Sequence, residues 1–148
     1  MTLGDGGDGM TRERRSWPVY LVAGYAALQV VRLGAIPILG DIAAGRVSPM
    51  WKFPALTDVA IGVAALVIAW MIVWRQTLLT WTAAIVFFAI SITDHLNAIV
   101  ASSAGVGAPP SMFSNPTATV AQLAITSLIE IGVIIALATE LRPRYVGR

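Results

Sequence analysis

The sequence predicts an all-α integral membrane protein, a bundle of four transmembrane helices with both termini in the cytoplasm. Three observations carry that expectation. Of the 148 residues, 57% are hydrophobic and only 12% are charged, about half the charge of an ordinary soluble domain. The apolar residues gather in four blocks, each near the roughly 20 residues needed to cross hydrocarbon. The basic residues collect on one side of the topology those blocks create. The same composition excludes a disordered chain, a collagen-like repeat and a nucleic-acid-binding domain. With no cysteine, disulfides, thiolate metal sites and cysteine nucleophiles are excluded as well.

Residues 1–16 are rich in Gly and Asp and end in Arg12-Glu13-Arg14-Arg15. They have nothing apolar to bury and read as a disordered cytoplasmic tail. The first span runs over about 17–39, with Ser16 as N-cap, Pro18 in the first turn and Pro37 bending or ending it. A signal peptide is set aside, because Arg32 interrupts the block and the block is long for a signal core. The second span covers about 54–74. After a short link at 75–77 the third covers about 78–101, and the fourth about 116–141, capped by Asn115 and stopped by Pro143. Residues 142–148 are read as a second cytoplasmic tail. Of the loops, 40–53 has room for a short interfacial turn around Ile42 to Arg46, whereas 102–115, uncharged and rich in Ser, Gly and Pro, reads as a plain connection.

Orientation follows from charge. Arg12, Arg14, Arg15, Arg75, Arg142, Arg144 and Arg148 fall on one side, seven in all, against Arg46 and Lys52 on the other. The richer side is expected to be cytoplasmic. Trp17, Tyr20, Trp70, Trp74, Trp81 and Tyr145 then lie near the inner interface, and Trp51, Phe53 and Phe113 near the outer one, as aromatic belts.

The informative residues are the polar ones inside the blocks: Arg32, Asp58, Asp94, His95, Asn97 and Glu130, with Gln29 and Gln122 beside them. Each costs a few kcal/mol at bilayer depth and should face the bundle with a partner. Counting about 1.5 Å per residue from the cytoplasmic ends puts Arg32, Asp94 and Asp58 at about 22, 24 and 25 Å, and Glu130 deeper at about 15 Å. Three of the four share one outer layer although the helices alternate in direction. Helical spacing aligns Tyr25, Gln29 and Arg32 on the first span and Gln122, Thr126 and Glu130 on the fourth. On the third, Ser91, Asp94, His95 and Ala98 share a side. Gly62, Ala65 and Ala69 on the second allow close helix approach.

These positions predict one polar pocket in the outer half of the bundle, with Glu130 as its floor. Asp94, His95 and Glu130 are the acid/base candidates. Arg32, Asp58, Asn97, Gln29, Gln122 and Tyr25 are the ligand-binding candidates. One arginine faces three carboxylates, so a protonated carboxyl, a protonated His95 or a bound cation should balance the excess charge. Glu130, deeper and alone, is the expected site of protonation. Neither haem nor zinc is implied, because His95 is the one histidine and no His/Cys set accompanies it; the residues name no cofactor.

The Phe53-Pro54 entry to the second span, the stretch Asp58-Val59-Ala60-Ile61-Gly62 and the run Asp94-His95-Leu96 resemble the DoxX-like families of small four-helix bacterial membrane proteins. Such proteins often carry a basic residue in the second helix, where this chain has Asp58. The resemblance implies a small subunit linked to a membrane oxidoreductase or the quinone pool.

Three functions fit these residues. The first is a membrane enzyme or redox-complex subunit whose pocket takes an amphiphile, quinone or lipid-like. The second is an accessory subunit of a larger membrane complex, with the polar set serving packing alone. The third is a proton-coupled transporter working as a dimer, with Glu130 as carrier. The expected partners are accordingly the lipid bilayer, an amphiphilic small molecule, and a second copy or a larger complex.

Overall fold

The computed structural model describes residues 17–104 and 116–146, and all regular structure among them is helical. In chain order come α1 (Trp17–Leu28), a 3-10 segment (Gln29–Ala35), α2 (Ile36–Ala43), a 3-10 turn (Pro49–Trp51), α3 (Lys52–Trp74), α4 (Leu78–Ser103), α5 (Pro116–Thr139) and α6 (Arg142–Val146). Four stretches are long and apolar enough to cross a membrane: Trp17–Ala43, Pro49–Trp74, Leu78–Ser103 and Ala118–Thr139. The expected tail over 1–16 with its Ser16 cap, the Asn115 cap and Phe113 lie outside the described residues.

The first span departs from the expected single helix in an instructive way. A proline has no N–H, and its ring crowds the carbonyl four residues earlier, here that of Leu33. Leu33 O instead accepts from the N–H of Ile36, three residues on, so the turns before Pro37 tighten to 3-10 geometry. Pro37 itself sits in the first turn of α2, where the missing donor costs nothing. The proline therefore does not end the span, which continues to Ala43. In a 3-10 helix side chains three apart eclipse one another. Ala26, Gln29, Ala35 and Ile38 are accordingly buried at a spacing of three, with Arg32 in register between them.

α3 lies against this tightened segment, and one glycine permits the approach. A Cβ on Gly62 would stand 2.9 Å from Leu33 Cγ and Cδ2, closer than packed carbons tolerate. The expected loop turn is the end of α2. Gly45 takes a left-handed φ of 71°, and Arg46 folds back to donate through Nε and Nη2 to Asp41 Oδ1 at 3.0 and 2.5 Å. The second span begins earlier than position 54, because Ser48 caps Met50 N at 3.3 Å and Pro49 opens the turn. At the α3–α4 link, Thr77 Oγ1 caps Thr80 N at 3.3 Å, which turns the chain back in three residues.

Helices pack in sequence round the bundle, α1 on α3, α3 on α4 and α4 on α5, while α5 does not pack along α1. The half nearer the termini is filled by apolar side chains, among them Val19, Ala26, Ala65, Phe87, Phe88 and Leu137. There Trp81 Nε1 donates to Leu137 O at 2.9 Å.

Two aromatics depart from their expected belt positions. Tyr145 is 1% exposed, because residues 142–146 form α6 rather than a tail. Its hydroxyl donates to Ile72 O at 3.0 Å, satisfying a carbonyl in the last turn of α3 that has no helical partner. Trp51 is buried as well, whereas Trp17, Tyr20, Phe53, Trp70 and Trp74 are exposed. Trp81 is half-buried.

Gly62→Val tests the close approach. The added methyls meet Leu33, and overpacking of this kind costs about 1–3 kcal/mol. The expected result is a clear fall in the thermal unfolding midpoint of the solubilised protein. Gly132→Ala, where a Cβ meets nothing within 4 Å, should leave the midpoint unchanged.

Candidate functional site: a guanidinium saturated by buried acceptors

Arg32 projects from the 3-10 segment into the half of the bundle away from the termini, and its side chain is 8% exposed. A guanidinium has five N–H donors in a planar fork, and here each meets one acceptor. Nε donates to Gln29 Oε1 at 2.7 Å, the eclipsed residue one 3-10 turn earlier. Nη1 donates to Asp58 Oδ1 at 2.6 Å and to Asp94 Oδ2 at 2.9 Å. Nη2 donates to Ser91 Oγ and His95 Nε2, both at 2.5 Å. Asp58 comes from α3, and Ser91, Asp94 and His95 come from a single face of α4.

A second tier ties in α5. Ser91 Oγ accepts from Arg32 and passes its own hydrogen to Glu130 Oε1 at 2.5 Å. Glu130 Oε1 lies 3.6 Å from Arg32 Nη2, and Oε2 lies 3.4 Å from His95 Nδ1. Ser127 Oγ donates to Leu123 O at 2.9 Å and stands 3.3 Å from His95 Nδ1. These contacts fix the imidazole. A guanidinium nitrogen has only hydrogens to offer, so this contact fits the tautomer in which His95 Nε2 is bare and Nδ1 carries the proton. Ser127 has spent its hydrogen on Leu123 and can only accept that proton's bond.

Glu130 is likewise not alone. It is fully buried and held by Ser91, with Arg32 and His95 at ion-pair distance. The helix-depth estimate separated it from the others by about a turn and a half, a gap that the long Arg32 and Glu130 side chains and the Ser91 hydroxyl close.

The cluster forms one wall of a cavity of about 570 Å³. Asp58, Asp94, His95, Arg32, Gln29 and Tyr25 are on its polar side, and Leu28, Val31, Ile38, Trp51 and Leu123 supply apolar lining. Gln122 and Thr126 line it from α5. Its rim reaches the bundle surface, since Leu28 and Val31 are 64% and 74% exposed. That rim falls at the seam where α5 does not pack along α1, in the middle of the spans. Glu130 sits behind the cluster and does not line the cavity.

The site residues expected from the sequence thus come together with one exception. Asn97 is exposed on the outer face of α4, beside Leu96 and Val100, and neither lines the cavity nor touches the cluster. Ser91 was placed on the correct face but not as a site residue, and Ser127 was missed. On α5, Gln122 and Thr126 of the expected stripe ride the cavity edge, while Glu130 belongs to the buried stripe with Thr119, Leu123 and Ser127. The three-residue spacing from Ser127 to Glu130 was the available signal. No protein-family model, curated protein or solved structure matches the chain.

Arg32→Met leaves three carboxylates without their cation, and breaking such a buried pair costs about 3–5 kcal/mol. The detergent-solubilised variant should be unfolded or strongly destabilised in a denaturant titration. Arg32→Lys restores the charge but brings one nitrogen with three donors, so it should recover only part of the loss. Asn97→Ala, outside the cluster, should stay within about 0.5 kcal/mol of the parent.

Proposed function

We propose that this chain is a multi-pass protein of the cell membrane, with cytoplasmic termini, that binds an amphiphilic quinone- or lipid-like molecule as a membrane enzyme or redox-complex subunit. The observation that carries the reading is the cavity. Its volume of about 570 Å³ lies within the range of small-molecule sites, its lining combines charged with apolar side chains, and its exposed rim residues Leu28 and Val31 lie at mid-span. An amphiphile entering from the bilayer would set its head on the Arg32 cluster and leave its tail in the seam between α1 and α5. Seven basic residues against two support the orientation, and under it the cavity would lie in the outer half of the bilayer. The DoxX-like resemblance points the same way, toward a quinone-linked subunit.

A specific observation also favours a second reading. The complete matching of Arg32 donors is what a packing element of an accessory subunit needs.

Mass spectrometry of the gently solubilised protein separates the two. An amphiphile that co-purifies with the parent and is lost from Val31→Trp and Thr126→Trp, which narrow the mouth, supports the binding reading. A stoichiometric partner chain with no amphiphile moves the case to the accessory role. Orientation is checked independently, because the chain has no cysteine and single cysteines can report sidedness. Ala44→Cys should react in intact cells with an impermeant maleimide, and Gln76→Cys only after permeabilisation.

A further inference from the structure

We propose that the head group this cavity accepts is cationic, an ammonium carried on a hydrocarbon tail, and that Asp94 and Asp58 receive it. The inference rests on the amphiphile-binding reading and narrows its ligand class.

An arginine at the edge of a cavity ordinarily suggests an anion. Here it does not, because the five donors of Arg32 are all taken by Gln29, Asp58, Asp94, Ser91 and His95. An anionic head would find no free N–H on the guanidinium. It would also face three carboxyl groups gathered round a single guanidinium.

A second observation points to a ligand. Asp94 is 2% exposed and lines the cavity, and its Oδ1 has no hydrogen-bond donor among the described residues. Asp58, bound to the same guanidinium nitrogen, lines the cavity beside it. A buried carboxylate oxygen without a donor is costly; Oδ1 is itself sealed, and a positive charge held in the cavity at Asp58, whose side chain is 16% exposed, offsets that cost through its field.

The remaining walls suit the same ligand. Trp51 lines the cavity, and an indole ring is the best aromatic neighbour for a cation, above all a quaternary ammonium. An oxidised quinone would bring carbonyl acceptors to a wall dominated by acceptors. A bare metal ion is poorly served too, since no group of three His, Asp or Glu among the described residues is arranged to hold one.

The test compares three probes of matched tail on the full chain in lipid nanodiscs, by calorimetric titration against empty discs. They are dodecyltrimethylammonium, dodecanoate and a decyl-substituted benzoquinone. The expected result is saturable binding of the ammonium at least tenfold tighter than either competitor. Asp94→Asn, which keeps the shape and the acceptor for Arg32, should weaken the ammonium at least tenfold and leave the thermal midpoint close to that of the parent. Trp51→Leu should weaken the quaternary ammonium several-fold if Asp94→Asn proves too unstable to measure. Equal or tighter binding of dodecanoate or the quinone overturns the charge assignment while the amphiphile pocket stands. Ammonium binding that a folded Asp94→Asn or Trp51→Leu leaves unchanged overturns it too. Binding of none of the three overturns the pocket reading itself.

Discussion

A guanidinium inside hydrocarbon must be neutralised and have every N–H accepted, and that requirement organises the half of this bundle away from the termini. In a bilayer, helices gain nothing from hiding apolar surface, because lipid tails are as apolar as leucine. Association then rests on packing and on polar contacts. Arg32 draws Asp58 from α3 and Ser91, Asp94 and His95 from α4. Ser91 and His95 in turn engage Glu130 and Ser127 of α5. A planar fork with five filled positions admits one rotational setting of each helix it touches. The half nearer the termini, filled by Phe87, Phe88, Leu137 and their neighbours, constrains the same helices through shape.

The placement of Arg32 depends on two residues that never touch its head group. Pro37 denies its own N–H to the ladder, which drives the preceding turns into 3-10 geometry and brings Gln29 into line beneath Arg32. Gly62 then lets that narrower segment settle against α3, with Leu33 where a side chain would stand. An α-helical first span would swing Arg32 away from Gln29 by some tens of degrees, since three residues turn the α-helix through about 300° rather than a full circle. Proline, 3-10 segment and glycine form one device that aims the arginine at α3 and α4.

This explains what the sequence could and could not reveal. Four apolar blocks and their intervening polar residues were visible because hydrocarbon enforces length and penalises charge, so spans and candidate site residues follow from simple counting. Side-chain facing was legible on α4, an uninterrupted helix, where Ser91, Asp94, His95 and Ala98 share the buried side. It failed on α5, where a four-residue step from Gln122 led along the cavity edge and passed over Ser127. It failed for Asn97, whose polarity suggested a partner that its position on α4 denies. Tyr145 and Trp51 looked like interfacial anchors because aromatic residues near span ends usually are. Only the α6 turn and the cavity wall show why these two are inside. Which nitrogen of His95 the guanidinium faces was beyond sequence reasoning, because it depends on the packing of the first span against α4.

The count of carboxylates is the feature that packing alone leaves unexplained. One Asp would neutralise Arg32, and serines, glutamines or carbonyls could fill the remaining donors without adding charge. The chain instead brings Asp58, Asp94 and Glu130 within reach of a single cation, two of them on the same nitrogen. Each carboxylate beyond the first adds repulsion and desolvation in a low-dielectric setting. A surplus of this kind makes sense where positive charge arrives from elsewhere, as the proposed cationic head group would in the cavity that Asp58 and Asp94 line. Arg32 then has a second role besides holding the helices. By spending all five donors on the protein, it keeps the carboxylates assembled while leaving no N–H for an anion, which under the proposal is what favours a cationic head.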